Sequence, residues 1–203
     1  MRCYIAGAHV NSSFCNVEHV GSKKMKLPVQ LEKLHQVADA AAIQFETSAD
    51  MVFESCGLIL ETPQIEQQYW CTPANVVTFA STGGDGVHYS YLKDFVSANG
   101  TLPIVMTLPS ADENNVVIAE SFEEFFNLGY YVGWYSLEQL VYQEEEAIDY
   151  FIKPDEEHRD DAESRLEYMR EALQMRPVPP QMARLAKLRE QYFDLLLIAE
   201  LPE

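Results

Sequence analysis

Apolar residues with helical spacing mark the first predicted element of the chain. Between residues 31 and 45 they recur at steps of three and four, just after Pro28. This spacing puts them on one face of an α-helix, and proline suits the first helical position. Residues 49–56 predict a short helix or strand that ends at Gly57. Pro63 and the polar residues after it predict an irregular connection.

The spacing then changes to that of β-strands. Residues 76–80 and 87–92 are rich in β-branched and aromatic side chains and flank the sequence STGGDG, which predicts a hairpin. Residues 103–108 and 115–119 predict two more strands, separated by the turn-forming sequence PSADEN. The glycines of STGGDG are expected to supply positive φ at the hairpin turn. A phosphate-binding loop is disfavoured, because the lysine and hydroxyl of a P-loop are missing.

Capping signals predict helices after the strands. Ser121 with Glu124, and Ser136 with Gln139, have the spacing of capping boxes. The helix that begins after Ser121 is expected to end at Gly129, because glycine commonly follows the last helical residue.

The rest of the chain is predicted to be helical and charged. Residues 155–175 and 182–195 have helical spacing, and the sequence RPVPP between them predicts a stiff hinge. Met25 is a candidate natural start, since MKLPVQLEKL would open a chain more naturally than the polar residues before it. Three parts are therefore expected: an extension (residues 1–24), a domain of helices and strands (25–142), and an acidic helical tail packed on the core (143–203).

The composition is that of a folded, acidic protein. Of 203 residues, 47% are hydrophobic, and 14 Lys and Arg against 32 Asp and Glu give a net charge of −18. Binding to nucleic acid or to an anionic membrane needs clustered cations, so neither partner is expected. The first residues lack the pattern of a secretory signal, and no run of about 18 apolar residues occurs. We expect a cytoplasmic protein.

The charge is concentrated in one stretch, residues 34–152, which we call the acidic block. It holds 18 carboxylates and a single cation, Lys93, whereas the residues before it are mildly basic and those after it are partly balanced. Such a block cannot neutralise itself locally. It is either a solvated surface that favours solubility or a binding surface for a basic partner, which it would attract over long range.

Neither a metal site nor a catalytic site is predicted. The cysteines lie in no C-x-x-C pair and have no histidine at zinc-ligand spacing, so reduced thiols are expected at Cys3, Cys15, Cys56 and Cys71. His35 and His88 occur in no recognisable catalytic sequence. Adjacent carboxylates such as Glu123 and Glu124 diverge on a helix, unlike a glycosidase pair. We therefore expect that the protein is not an enzyme.

Three short motifs carry a resemblance to a known family. Residues 79–86, FASTGGDG, end a strand in a turn of small residues, and residues 103–105, PIV, begin a later strand. Residues 118–126, IAESFEEFF, lead into a helix. In this order, and over about residues 31–129, the chain resembles the SUKH superfamily, which includes the Smi/Knr cell-wall regulators and many bacterial immunity proteins. The resemblance implies an α+β fold, with a mainly antiparallel sheet flanked by helices and a helical C-terminal extension. It also implies a binding protein, most often one that neutralises a toxin, with no cofactor and no catalytic residues.

Candidate partner-binding residues are carboxylates of the acidic block and one aromatic cluster. The carboxylates are Asp85, Asp94, Asp112, Glu113, Glu120, Glu123 and Glu124, and the cluster is Tyr130, Tyr131, Trp134 and Tyr135. The aromatic cluster is either core or an exposed anchor for a partner. Asp85 has either a local hydrogen-bonding role in its turn or a role in partner contact.

The leading hypothesis is a non-enzymatic immunity protein that binds a basic, nuclease-like toxin and occludes its active surface. A toxin gene beside the gene for this chain would favour it. The alternative is an intracellular regulatory or scaffold protein of the Smi/Knr type that binds a housekeeping partner. A small hydrolase is a third hypothesis, and it would need an ordered polar cleft that joins His88 to a Cys or Ser.

Overall fold

A computed structural model of the protein describes residues 27–66, 69–93, 95, 101–142 and 160–198. The predictions for residues 1–24 and 143–159, and for Cys3, Cys15 and Asp94, lie outside this part. The strands are β1 (Ile59–Ile65), β2 (Val76–Ser81), β3 (His88–Leu92), β4 (Ile104–Thr107) and β5 (Asn115–Ala119). The helices of the described residues are α1 (Val29–Gln44), α2 (Phe122–Leu128), α3 (Gln139–Tyr142), α4 (Asp160–Leu173) and α5 (Met182–Tyr192).

One antiparallel sheet organises the described residues, with its five strands side by side in chain order. The predicted α+β class with an antiparallel sheet and flanking helices is therefore confirmed. β2 to β5 form where their apolar patterns predict them. β1 was not predicted, because Pro63 and its polar neighbours favour an irregular segment. A proline is tolerated there because β1 lies at the sheet edge, and its pairing with β2 is irregular between Leu60 and Ile65.

The first face of the sheet carries the larger apolar core. α1 packs there with the face that its spacing predicts, and Leu31, Leu34, Ala38 and Ala41 are fully buried. The stretch before β1 forms turns and a short 3₁₀ helix, Glu54–Cys56, that ends at Gly57 with φ 76°.

Trp134 lies at the centre of this core. Its indole nitrogen donates to the Phe125 carbonyl at 3.2 Å, and its own carbonyl accepts from the Tyr89 hydroxyl at 2.8 Å. α2 ends before Gly129, as predicted, but the reason is not a left-handed turn, since Gly129 has an ordinary φ of −77°. A Cβ on Gly129 would lie 2.4 Å from the Trp134 ring, so the ring requires a glycine there.

The two capping signals have different outcomes. Ser121 accepts from the Glu124 amide at 3.1 Å, but the Glu124 carboxylate reaches back to the Glu120 amide rather than to that of Ser121. The second box does not form: a 3₁₀ helix, Tyr135–Glu138, begins after Trp134 with no side-chain cap. This segment is held by tertiary contact instead, because the Trp134 amide donates to the Cys56 carbonyl at 2.7 Å.

The second face of the sheet combines buried polar pairs with a smaller apolar cluster. Thr78 hydrogen-bonds Ser90 at 2.9 Å, and Thr107 donates to Asn115 at 2.8 Å. Asn115 in turn donates to the Cys71 carbonyl at 2.9 Å, so the loop before β2 is held on this face. These bonds satisfy polar groups that would be costly to bury alone.

The tail helices complete both faces. α4 packs against α1 and the turn at residues 54–56, whereas α5 packs along β5. Leu188, Tyr192 and Leu196 join the apolar cluster of the second face. Leu195 was expected on the buried face but is exposed, because a 3₁₀ turn, Phe193–Leu195, follows α5 and turns Leu196 inward. Among the described residues, no helix is both long and apolar enough to cross a membrane.

Candidate functional site

The structure divides the predicted aromatic cluster between core and surface. Trp134 is fully buried, so it offers no surface to a partner and has the core role, one of the two that its sequence allowed. Tyr130 is half-buried under the guanidinium of Arg170, which lies 4.9 Å from its ring centre. Tyr131 is half-buried beside it, and Tyr135 is exposed where it contacts Gly57.

Three of the candidate carboxylates are ion-paired with α5. Arg184 donates from Nε to Glu124 Oε1 at 2.7 Å and from Nη2 to Glu124 Oε2 at 2.9 Å. The same Nη2 lies 3.0 Å from Glu120 Oε2. Arg189 pairs with Glu113 at 2.9 Å. The tail thus supplies cations that the acidic block lacks.

A tyrosine completes this network. The Tyr192 hydroxyl donates to Glu120 Oε1 at 2.6 Å. This hydrogen bond and the Arg184 guanidinium hold the pKa of Glu120 below its ordinary value. Burial, together with the bond to Glu120, raises the pKa of Tyr192 to about 12. The Glu120 carboxylate is therefore ionised near neutral pH and is already held by Tyr192 and Arg184.

Asp112 and Glu123 remain open at the surface. Both are exposed, and neither forms an ion pair with a described lysine or arginine. Of the candidate carboxylates near α5, these two are the ones that a partner can reach without moving α5.

A second surface lies at the β2–β3 turn, and we call it the turn patch: Tyr69, Trp70, Asp85, Glu138 and Tyr142. Its base is Gly86, where a Cβ would lie 2.7 Å from the Tyr69 ring. That ring stacks on His88 with 5.5 Å between ring centres and 19° between planes. Trp70 is 52% exposed and Tyr142 is 48% exposed. The chain thus presents large aromatic rings to solvent at one end of the hairpin.

Asp85 occupies the tip of this turn. It is exposed and has a φ of 47°, while Gly83 and Gly86 have the positive φ values predicted for the hairpin glycines. Asp and Asn are the non-glycine residues that adopt this conformation most readily. The turn therefore holds the carboxylate outward, in a position set by the backbone.

The charge of Asp85 acts on two neighbours in the turn patch, Glu138 and Tyr142. Burial raises the pKa of Glu138, and the charge of Asp85 raises it further. Burial also raises the pKa of the Tyr142 hydroxyl, with further contributions from Glu138 and Asp85. Neither carboxylate pairs with a lysine or arginine in the described part of the chain. Glu138 is thus a partly desolvated carboxylate in the field of the exposed Asp85, and a nearby cation would favour its charged form.

Sequence reasoning identified Asp85 but not Glu138 or Tyr142 as members of a site. Their positions follow from α3 and the 3₁₀ helix before it, which tertiary contacts place beside the hairpin turn. The sequence around Glu138 and Tyr142 does not indicate that they lie beside the hairpin turn. Tyr69 and Trp70 are an aromatic pair that the sequence leaves open as either core or exposed anchor, as it does for the cluster at residues 130–135.

His88 is a structural residue in this arrangement. It is fully buried, its Nδ1 donates to the Gly86 carbonyl at 2.8 Å, and its Nε2 accepts from the Thr72 hydroxyl at 2.9 Å. The carbonyl can only accept, which assigns the proton to Nδ1. Burial lowers the pKa of the ring. Both ring nitrogens are hydrogen-bonded inside the protein. His88 therefore does not line the polar cleft with a Cys or Ser that the hydrolase hypothesis requires.

The described cysteines are likewise buried free thiols. Burial raises the pKa of Cys56 to about 12 and also raises that of Cys71. A thiol held protonated is a poor nucleophile and a poor metal ligand. The described residues contain no group of three or more His, Cys, Asp or Glu side chains that could hold a metal ion.

Two clefts border α5. One of about 640 Å³ lies between β5, α3 and α5 and has an apolar floor that includes Val116, Ile118 and Leu140. Another of about 370 Å³ lies between α2 and the start of α5. Ile118 and Leu185 line both clefts.

We found no match to this chain among protein-family models, curated proteins or solved structures. The geometry of the turn patch and of the surface around α5 is therefore the main basis for a functional assignment.

Proposed function

We propose that the chain is a non-enzymatic protein-binding module for a basic protein and that it acts as an immunity protein, occluding the basic surface of a nuclease-like toxin. The observation that carries this proposal is the turn patch, where exposed aromatic rings lie beside two carboxylates that have no cation from the described chain. The resemblance to the SUKH superfamily supports the same function.

The patch suits an arginine or lysine of a partner. A guanidinium can stack on an exposed ring and hydrogen-bond a carboxylate at the same time, and desolvation on docking strengthens both contacts. Tyr and Trp are also the side chains most enriched among residues that dominate binding energy. A toxin cation held in this way is withdrawn from the phosphate of its substrate, which is occlusion.

The test uses two matched double variants. Asp85→Asn with Glu138→Gln removes the charge of the turn patch, and Asp112→Asn with Glu123→Gln removes the same charge from the exposed carboxylates near α5. Each chain is co-expressed with a nuclease-like toxin found encoded beside its gene, and survival and affinity are measured; a gene neighbourhood without such a toxin would count against the immunity function. We expect the turn-patch variant to lose protection and the control variant to keep it.

Salt dependence provides the second readout. Binding through surface charges weakens as ionic strength rises, because ions screen them. Equal affinity at low and high salt, or equal loss in both double variants, would contradict the proposal. If the partner bound through the patch is instead a housekeeping protein, the regulatory function of the Smi/Knr type replaces immunity.

A further inference from the structure

We propose that Thr72 and His88 are positioning residues of the turn patch: together they hold its aromatic loop in the place where the patch binds a cation of a partner. The inference rests on the proposed function, because it assigns a role within the same binding surface. It concerns residues that a partner does not touch, since both side chains are buried.

The turn patch is assembled from segments that are not adjacent in the chain. Tyr69 and Trp70 come from the loop before β2, and Asp85 comes from the β2–β3 turn. Tyr69 and Trp70 lie outside the strands and helices, so the ladder of a regular element does not fix them. The loop needs other contacts to hold its rings beside the turn.

A chain of hydrogen bonds joins this loop to the turn. The Tyr69 amide donates to the Thr72 hydroxyl at 3.0 Å, and that hydroxyl donates its own proton to His88 Nε2 at 2.9 Å. His88 Nδ1 then donates to the Gly86 carbonyl at 2.8 Å. In a neutral ring the direction is fixed, because the carbonyl can only accept and Nε2 is then left as the acceptor.

Ring packing holds the same loop. The Tyr69 ring stacks on the ring of His88, with 5.5 Å between their centres. Gly86 leaves room for the Tyr69 ring, because a Cβ there would lie 2.7 Å from it. The hydrogen bonds thus set the backbone of the loop and the stack sets its first ring, while Trp70, the next residue, remains 52% exposed.

The sheet makes His88 a rigid anchor for the loop. His88 lies in β3, where it pairs with Ser81 of β2 and Thr107 of β4. The loop has a second attachment at Cys71, whose carbonyl accepts from Asn115 of β5 at 2.9 Å. The aromatic loop is therefore ordered when the chain folds rather than when a partner binds, and such preorganisation raises affinity without adding a contact.

The test compares two substitutions of the same kind. Thr72→Val removes the hydroxyl at the centre of the chain of bonds, whereas Thr78→Val removes a buried hydroxyl, bonded to Ser90 at 2.9 Å, that takes no part in it. The probe is a labelled peptide of alternating arginine and glycine. We expect Thr72→Val to lower its affinity by about fivefold and Thr78→Val to leave it unchanged, although both variants lose stability. Thr72→Ser, which keeps the hydroxyl, should retain the affinity.

Salt dependence separates this inference from the proposed function. Thr72→Val leaves every charge of the patch in place, so the affinity should fall by the same factor at low and at high ionic strength. Asp85→Asn with Glu138→Gln removes charges and should reduce the salt dependence itself. If this double variant binds the peptide as the wild type does, the proposed function fails and the inference fails with it. If the double variant loses affinity and a folded Thr72→Val does not, the positioning role alone is overturned.

A measurement on the wild-type chain tests the inference even if Thr72→Val does not fold. The Tyr69 amide is hydrogen-bonded in the free protein, so its hydrogen exchange should already be slow before the peptide is added. Exchange as fast as in an unfolded chain, followed by protection on binding, would overturn the proposal, because the partner would then be ordering the loop.

Discussion

Arg184 holds both carboxylate oxygens of Glu124, and the same carboxylate accepts from the backbone amide of Glu120 at the start of α2. One side chain thus caps α2 and anchors α5. The two residues are 60 positions apart in the chain, and their pairing explains why the second half of the predicted capping box is directed one residue upstream.

Removal of Arg184 should therefore destabilise the fold measurably. We expect Arg184→Met to lower the free energy of unfolding by about 1–2 kcal/mol, because the two hydrogen bonds between the guanidinium and the partly buried Glu124 carboxylate are lost. Lys187→Met is the matched control, since Lys187 is exposed on the same helix and makes no ion pair in the described structure. Urea denaturation measures both. Equal effects of the two substitutions would contradict the role of the pair.

Gly129 should tolerate no side chain. An added Cβ would meet the Trp134 ring at 2.4 Å, so we expect Gly129→Ala to cost about 2–3 kcal/mol through overpacking. Gly84→Ala is the control, because a Cβ at Gly84 meets no atom within 4 Å. Thermal unfolding of the two variants should differ clearly. A neutral Gly129→Ala would mean that the Trp134 ring can move aside.

The charge of Asp85 should affect the titration of Glu138. Burial is the main cause of the raised pKa of Glu138, and Asp85 adds to it, so Asp85→Asn should lower the Glu138 pKa part of the way to its ordinary value. Titration followed by NMR measures this shift. Asp112→Asn should leave the Glu138 pKa unchanged, and a shift as large as that of Asp85→Asn would show that the effect is not local.

His88 should make stability depend on pH. Its folded pKa is lowered, so the unfolded chain takes up a proton first as the pH falls below about 6.5, and the free energy of unfolding then decreases. Above about pH 6.5 the neutral His88 ring makes its full contribution to the free energy of unfolding. The slope for one histidine is at most about 1.4 kcal/mol per pH unit. Urea curves at about pH 5 and about pH 7.5 measure it.

His88→Gln should reduce this slope. His35→Gln is the comparison, since burial also lowers the pKa of His35, although that ring is only half-buried and Asp39 opposes the shift. We therefore expect His35→Gln to reduce the slope less than His88→Gln does. If His88→Gln leaves the slope unchanged, the folded state does not favour the neutral form of the His88 ring over the charged form.

The strands were predictable where local pattern and tertiary environment agree. β2 and β3 are rich in β-branched and aromatic residues because both faces of the sheet are covered, and STGGDG marks the turn between them. β1 was missed because an edge strand tolerates the proline and polar residues that usually indicate a loop. Ser136 and Gln139 have the spacing of a cap, but the contact of Trp134 with Cys56 determines the local backbone.

The candidate site was less predictable, because its chemistry depends on distant pairing. The charge pattern identified the acidic block, and the structure shows that α5 neutralises Glu113, Glu120 and Glu124. Nothing near these glutamates in sequence indicates the arginines. In the same way, Glu138 and Asp85 are 53 positions apart by residue number, and only folding places one in the field of the other.

The bonds between Asn75 and residues 195–197 span more than 100 positions of the chain. During synthesis the strands leave the ribosome long before these partners do, so Val105 and Val117 on the second face lack their cover from Leu188 and Tyr192. A nascent chain in this state exposes apolar surface to chaperones and to other chains. The acidic charge already present between the strands and on α2 then keeps such chains apart through mutual repulsion. The second face of the sheet therefore obtains its apolar cover only after translation has passed α5.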